Sequence, residues 1–138
     1  MSRIILKISG EALKNPDDLV SKEKLNIVLK TIQLLRKDEH QIGIVIGGGN
    51  YFRGREHTDM NKVTRDTIGM LGTVMNALYI KDYLEKNNIS CVVTTPFEFP
   101  ELIDKYNEEE LKNLYNDVIL ERFHQFGDFF FCPDCGIF

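Results

Sequence analysis

Apolar residues fall into short runs and helical stripes that alternate along the first two thirds of the chain. Arg3-Ile4-Ile5-Leu6-Lys7-Ile8-Ser9-Gly10 is almost continuously apolar, the pattern of a strand covered on both faces of a parallel sheet. After a loop at Asn15-Pro16-Asp17-Asp18, residues Leu25, Val28, Leu29, Ile32 and Leu35 recur at intervals of three and four. That spacing predicts a helix with one buried stripe, beginning at Ser21. Lys24 stands where a capping box would place an acid, so only half a box is present. Ile42 to Ile46 predicts a second strand, and helical periodicity resumes from Thr58 through Leu84. Lys86-Asn87-Asn88 closes that helix, and Ile89 to Thr95 predicts a third strand. Pro96 and Pro100 then bracket an exposed Phe97-Glu98-Phe99. A short helix over Glu108–Tyr115, with an acidic first turn, precedes a fourth strand at Val118-Ile119-Leu120. Strands alternating with helices define an α/β fold with a mainly parallel sheet and right-handed crossovers.

Candidate chemistry concentrates where the second strand ends, in Gly47-Gly48-Gly49-Asn50-Tyr51-Phe52-Arg53-Gly54-Arg55. Three glycines in a row let backbone N–H groups approach an anion, and the arginines offer forked contacts to phosphate oxygens. The plainer alternative is a tight turn. Lys7 interrupts the first strand near its carboxyl end, the edge at which open α/β sheets bind ligands. A snorkelling surface lysine would look the same in sequence. The expectation is that Lys7, the triple glycine and Arg53 share one anion-holding crevice. Gly69 and Gly72, three apart in the long helix, predict close packing of that face against another backbone. Asp66 either accepts hydrogen bonds from ligand hydroxyls or pairs with Lys62 or Arg65.

Composition narrows the class without changing it. The 138 residues suit one domain with a real core; 43% are hydrophobic, 28% are charged and the formal charge is −4. Mild acidity gives no reason to expect nucleic-acid or anionic-membrane affinity. The longest apolar runs fall short of the roughly 18 residues of a membrane span, and the start lacks a secretory h-region, so the cytoplasm is expected. Three cysteines are too few for a disulfide framework. Cys132-Pro133-Asp134-Cys135 has the spacing of half a zinc site, but with only His124 nearby it is read as an incidental reduced pair, and no metal is assigned. Residues 121–138 change character, with six phenylalanines and no period. This aromatic segment fits covering a sheet edge, binding a partner or marking a truncated end.

Three stretches together resemble the bacterial uridylate (UMP) kinases of the amino-acid-kinase superfamily. They are Ile5-Leu6-Lys7-Ile8-Ser9-Gly10-Glu11-Ala12-Leu13, Val45 to Gly54, and Asp66-Thr67-Ile68-Gly69-Met70-Leu71-Gly72-Thr73-Val74-Met75-Asn76. The resemblance implies a three-layer α/β sandwich and a hexameric enzyme that transfers the γ-phosphoryl group of ATP to UMP with Mg²⁺. By motif match it places Lys7 among the transferring phosphates, with Ser9, Gly10 and Gly49 lining the same phosphate site. Gly48 and Gly49 would present backbone donors to UMP, Arg53 would hold its phosphate and Asp66 its ribose. Such a site suits phosphoryl transfer, which asks for positioning and charge neutralisation and needs no side-chain nucleophile.

The resemblance covers residues 1–120 as an acceptor-nucleotide lobe and thins over the divergent tail, 121–138. Against the family's threonine-rich loop, Gly127, Phe130, Phe131 and Asp134 fall on the pattern, whereas Phe126, Asp128, Phe129, Cys132 and Pro133 depart from it. Asp128 would set like charge beside a phosphate dianion. The family continues past this chain with most of its ATP site. The expectation is therefore a truncated homologue, inactive alone, that binds UMP or another nucleotide and forms a homo-oligomer or joins a full-length kinase. The alternative is a non-catalytic interaction protein that associates through the 66–84 helix.

Overall fold

The structure, a computed structural model, describes residues 2–91, 93–95 and 104–105. Strand β1, Arg3–Ile8, leads through a 3-10 turn, Gly10–Leu13, to helix α1, Lys22–Lys37. Strand β2, Gln41–Ile46, is followed by a second 3-10 turn, Gly54–Glu56, and by the 24-residue helix α2, Lys62–Glu85. Two short strands, β3 at Thr94–Thr95 and β4 at Asp104–Lys105, complete the described elements. β1 and β2 pair in parallel from Arg3↔Gln41 to Ile8↔Ile46, and β3 and β4 also pair in parallel. The parallel α/β architecture expected from the alternation is present.

The side-chain alternation of a strand explains where the core lies. Ile42, Ile44 and Ile46 are buried in one cluster with Leu25, Leu29 and Ile32 of α1 and with Val74, Ala77, Ile80 and Leu84 of α2. Leu6 and Ile8 of β1 pack against the same cluster, as do Val28 and Leu35, so the whole predicted α1 stripe is core. The opposite face carries Ile5, Lys7 and Val45, which lie outside that cluster. β1 is only half-buried or exposed along its length, not buried on both faces as its apolar run suggests. The described residues thus show the sheet and one helical layer of the expected sandwich.

Helix ends differ in detail from the sequence reading. Ser21 takes the N-cap position of α1 in extended conformation, but its side chain makes no capping bond. Its backbone serves instead: its N–H donates to Leu13 O at 2.7 Å, and its carbonyl accepts from Leu25 N at 3.0 Å. α2 begins at Asn61, not Thr58; the Asn61 side chain accepts from Val63 N at 2.9 Å and Thr64 N at 3.5 Å, which satisfies two otherwise orphaned donors. The helix closes where expected. Asn88 adopts a left-handed φ of 60°, and Ile89 N returns to Leu84 O at 3.0 Å.

Ile89, Cys91 and Val93 are buried as the third strand predicted, although regular pairing is confined to Thr94–Thr95. β4 was not predicted; an Asp-Lys pair gives no apolar signal. The predicted helix at Glu108–Tyr115, the strand at Val118–Leu120, the Pro96–Pro100 segment, the cysteine pair and the tail candidates Gly127 and Asp134 lie outside the described residues.

Candidate functional site: a glycine turn sealed onto a helix

The carboxyl ends of β1 and β2 meet at one edge, where Gly47 N donates to Ile8 O at 2.9 Å. Beyond it the chain turns tightly, with Tyr51 N and Phe52 N both donating to Gly48 O, at 3.0 and 3.2 Å. Gly48 is buried against α2. A Cβ there would lie 2.6 Å from Gly69 O, 2.7 Å from Thr73 N and 2.9 Å from Gly72 C, so only glycine fits. The reciprocal contact is at Gly72, whose Cβ would meet Gly48 O at 3.2 Å. Gly69 differs from the expectation: a Cβ there would meet nothing within 4 Å, and its contribution is its carbonyl.

The turn after β1 presses on the same loop. At Gly10 a Cβ would stand 2.5 Å from Asn50 Oδ1, 2.6 Å from Gly49 N and 2.7 Å from Gly47 O. A buried amide pair fixes the arrangement. Asn50 Nδ2 donates to Asn76 Oδ1 at 2.9 Å, and Asn76 Nδ2 donates back to Asn50 Oδ1 at 2.7 Å. Asn76 Nδ2 also donates to Gly47 O at 2.7 Å, and Asn50 Nδ2 to Leu19 O at 2.8 Å. With Asn76 fully buried, these bonds tie the loop to α2 and to the segment preceding α1. Among the described residues, the N–H groups of Gly48 and Gly49 donate to no other group.

Arg53 follows the turn and is half-buried. Its Nε donates to Glu11 Oε1 at 2.6 Å and its Nη2 lies 2.5 Å from Glu11 Oε2, a forked ion pair; Nη1 also reaches Glu56 at 3.4 Å. The hydrogen bond from Arg53 holds the Glu11 carboxyl below its ordinary range, against desolvation and with help from Lys14 at 3.2 Å. The Glu11 bond in turn raises the Arg53 pKa. Glu11 Oε1 also sits 3.3 Å from where a Gly49 Cβ would be, so the carboxylate lies over the glycine turn. A shallow cavity of about 370 Å³ opens here, lined by Glu11, Gly49, Phe52, Arg53, Gly54 and Arg55. Its floor is braced from α2, where Arg65 Nη1 donates to Gly54 O at 3.2 Å, and Phe52 stacks on His57 with ring centroids 4.6 Å apart.

The structure therefore brings together Gly10, Gly48, Gly49 and Arg53. Ser9 is exposed at the start of the same turn. Lys7 is at the same sheet edge but, opposite Val45 in register, leaves the strand on the face away from the helices; Gly48 is pressed onto α2. Lys7 is exposed and does not line the cavity that Arg53 lines. Asp66 is exposed on the first turns of α2 and, among the described residues, pairs with neither Lys62 nor Arg65, which leaves its carboxylate available. Two features went unread in the sequence: Glu11 as the partner of Arg53, and the Asn50–Asn76 pair.

This fold and loop define an α/β protein with a glycine turn packed onto a helix at the carboxyl edge of its parallel strands. The chain belongs to the amino acid kinase family, whose model matches residues 2–125. It is 40% identical over 118 residues to the uridylate kinase of Ruthia magnifica, covering 83% of this chain and 49% of the relative. It is 39% identical to the uridylate kinase of Thermosipho melanesiensis over 84% of this chain and 50% of that one. Among solved structures, the UMP kinase of Ureaplasma parvum superposes with a TM-score of 0.73 at 29% identity, over 82% of this chain and 51% of the other. The UMP kinase of Bacillus anthracis gives 0.74 at 29% identity, over 80% and 47%. The chain spans about half the length of the curated relatives it matches.

Proposed function

We propose that this chain is the acceptor-nucleotide lobe of a uridylate-kinase-like protein, binding the phosphate of UMP at the Gly47–Arg53 turn, and that as a 138-residue polypeptide it does not transfer phosphate alone. The observation that supports this reading is the cavity lined by Gly49, Arg53 and Glu11, beside a turn in which Gly10 and Gly48 fit only as glycine, at the carboxyl edge of a parallel pair of strands. Gly48 and Gly49 supply backbone donors, Arg53 supplies a charged fork, and Asp66 accepts from the ribose hydroxyls. By family resemblance Lys7, Ser9 and Gly10 would meet the phosphates of ATP, with Lys7 reaching them from the face of β1 away from the helices. ATP would contribute the transferred phosphoryl group, and this chain spans about half the length of the relatives it matches. Among the described residues no group of three His, Cys, Asp or Glu side chains could hold a metal ion. No helix in that range is long and apolar enough to cross a membrane.

Calorimetric titration tests the binding. Saturable heat with millimolar UMP is expected, and Arg53→Ala should weaken affinity roughly 10- to 100-fold through the loss of charge-assisted bonds. Absence of heat from a folded sample would overturn the reading.

A second reading rests on the outer face of α2. Leu71, Met75 and Tyr79, spaced by four, are 45%, 45% and 50% exposed, a continuous apolar stripe. It suits association with a second copy or with a full-length kinase. Light scattering should give a mass above one chain, reduced to one chain by Leu71→Glu with Tyr79→Glu. A monomer both alone and with a full-length uridylate kinase would remove this reading.

A further inference from the structure

Glu11 takes no part in the assignments above, yet it occupies the position most relevant to them. Its two carboxylate oxygens face the Arg53 guanidinium in the forked geometry that a phosphate monoester would use. The same carboxylate lies against Gly49 and lines the small cavity. Lys14 is also turned onto it, at 3.2 Å. An arginine aimed at an incoming dianion is thus already neutralised by an acid belonging to the chain. We propose that Glu11 is a built-in counter-anion that holds Arg53 oriented while the phosphate site is empty and must yield that position to a phosphate monoester, so that Glu11 sets the affinity of the site.

Three physical consequences follow. Exchange of one carboxylate for one phosphate at Arg53 keeps the guanidinium paired throughout, so the cost of ordering its long side chain is met before binding. Displaced Glu11 would stay near the phosphate, and like charges at that range oppose each other. Singly charged or weakly coordinating anions, which gain less from Arg53, would fail to displace the carboxylate. The gate therefore favours a dianionic phosphate monoester over inorganic monoanions. This inference rests on the turn being a phosphate site; the nucleotide's identity is a separate matter.

The test is titration of the wild-type chain and of Glu11→Gln with UMP, with inorganic phosphate and with chloride, folding being checked by circular dichroism. Gln keeps the shape and one hydrogen bond to Arg53 while removing the charge. Phosphate and UMP are expected to bind Glu11→Gln about tenfold tighter than wild type, and chloride competition is expected to appear only in the variant. If phosphate binding tightens while UMP binds no better than phosphate in either protein, the counter-anion role stands and the UMP reading fails. If UMP binds the wild type and Glu11→Gln binds it equally or more weakly, the role of Glu11 is overturned while the UMP reading survives. If neither protein binds either phosphate compound, both are overturned. Glu11→Ala, which removes a half-buried side chain from the turn, replaces Gln should the first variant not fold, with the same outcomes.

Discussion

Replacing Gly48 by alanine is expected to cost about 3 kcal/mol of stability, whereas Gly69→Ala is expected to stabilise by up to about 1 kcal/mol. The two glycines contribute to one contact, Gly48 from the turn and Gly69 from α2. A methyl group at Gly48 would press within 2.9 Å of three backbone atoms of α2. Backbone has no rotamer to move, so either the loop lifts off the helix or the helix shifts. At Gly69 the added methyl group enters open space, and only the better helix propensity of alanine remains. Urea unfolding of both variants measures the difference. Equal destabilisation by both would mean that the turn is not seated on α2 at Gly48.

Asn76→Leu is the second large effect, expected to destabilise by about 3 kcal/mol or more. Asn76 has no exposed surface, and its amide serves Gly47 O and both ends of the Asn50 amide. Leucine fills a similar volume, so the loss is polar and not a cavity. It leaves the Gly47 carbonyl and one donor and one acceptor of Asn50 facing an apolar group in a buried setting. Asn50→Leu should cost less than the sum when combined with Asn76→Leu, because the double variant removes both halves of the pair. Strict additivity in that cycle would contradict a direct amide–amide contact.

The elements of the fold were legible where packing acts through a short period. Ile42, Ile44 and Ile46, and the Leu25–Leu35 stripe of α1, advertise burial because one face of each element repeats within a few residues. Legibility failed where the cause lies elsewhere in the chain. The Asn50–Asn76 pair joins residues 26 apart, and an asparagine in mid-helix gives no sign of its partner. Gly69 and Gly72 share a helical face, but only the position of Gly48 decides which one is crowded.

Lys7 shows the same limit on the functional side. Its place near the strand end put it at the correct edge, and the strand register, not the motif, decides which face it leaves from. Glu11 carried a signal that went unused: an acid directly after Ser9-Gly10, in a chain whose neighbouring loop brings two arginines to the same edge. Charge complementarity between two loops at one sheet edge would have suggested the pair. Asp66, by contrast, reads two ways in sequence, and among the described residues it makes neither ion pair.

The central claim is that the two loops at the carboxyl edge of β1 and β2 form one anion site. Backbone amide NMR shifts during titration with UMP test it most directly. The account predicts that the largest changes fall together on Gly10, Gly48, Gly49 and Arg53, saturating along a single curve. Saturating changes centred elsewhere, with the Gly48 and Gly49 amides unmoved, would contradict it.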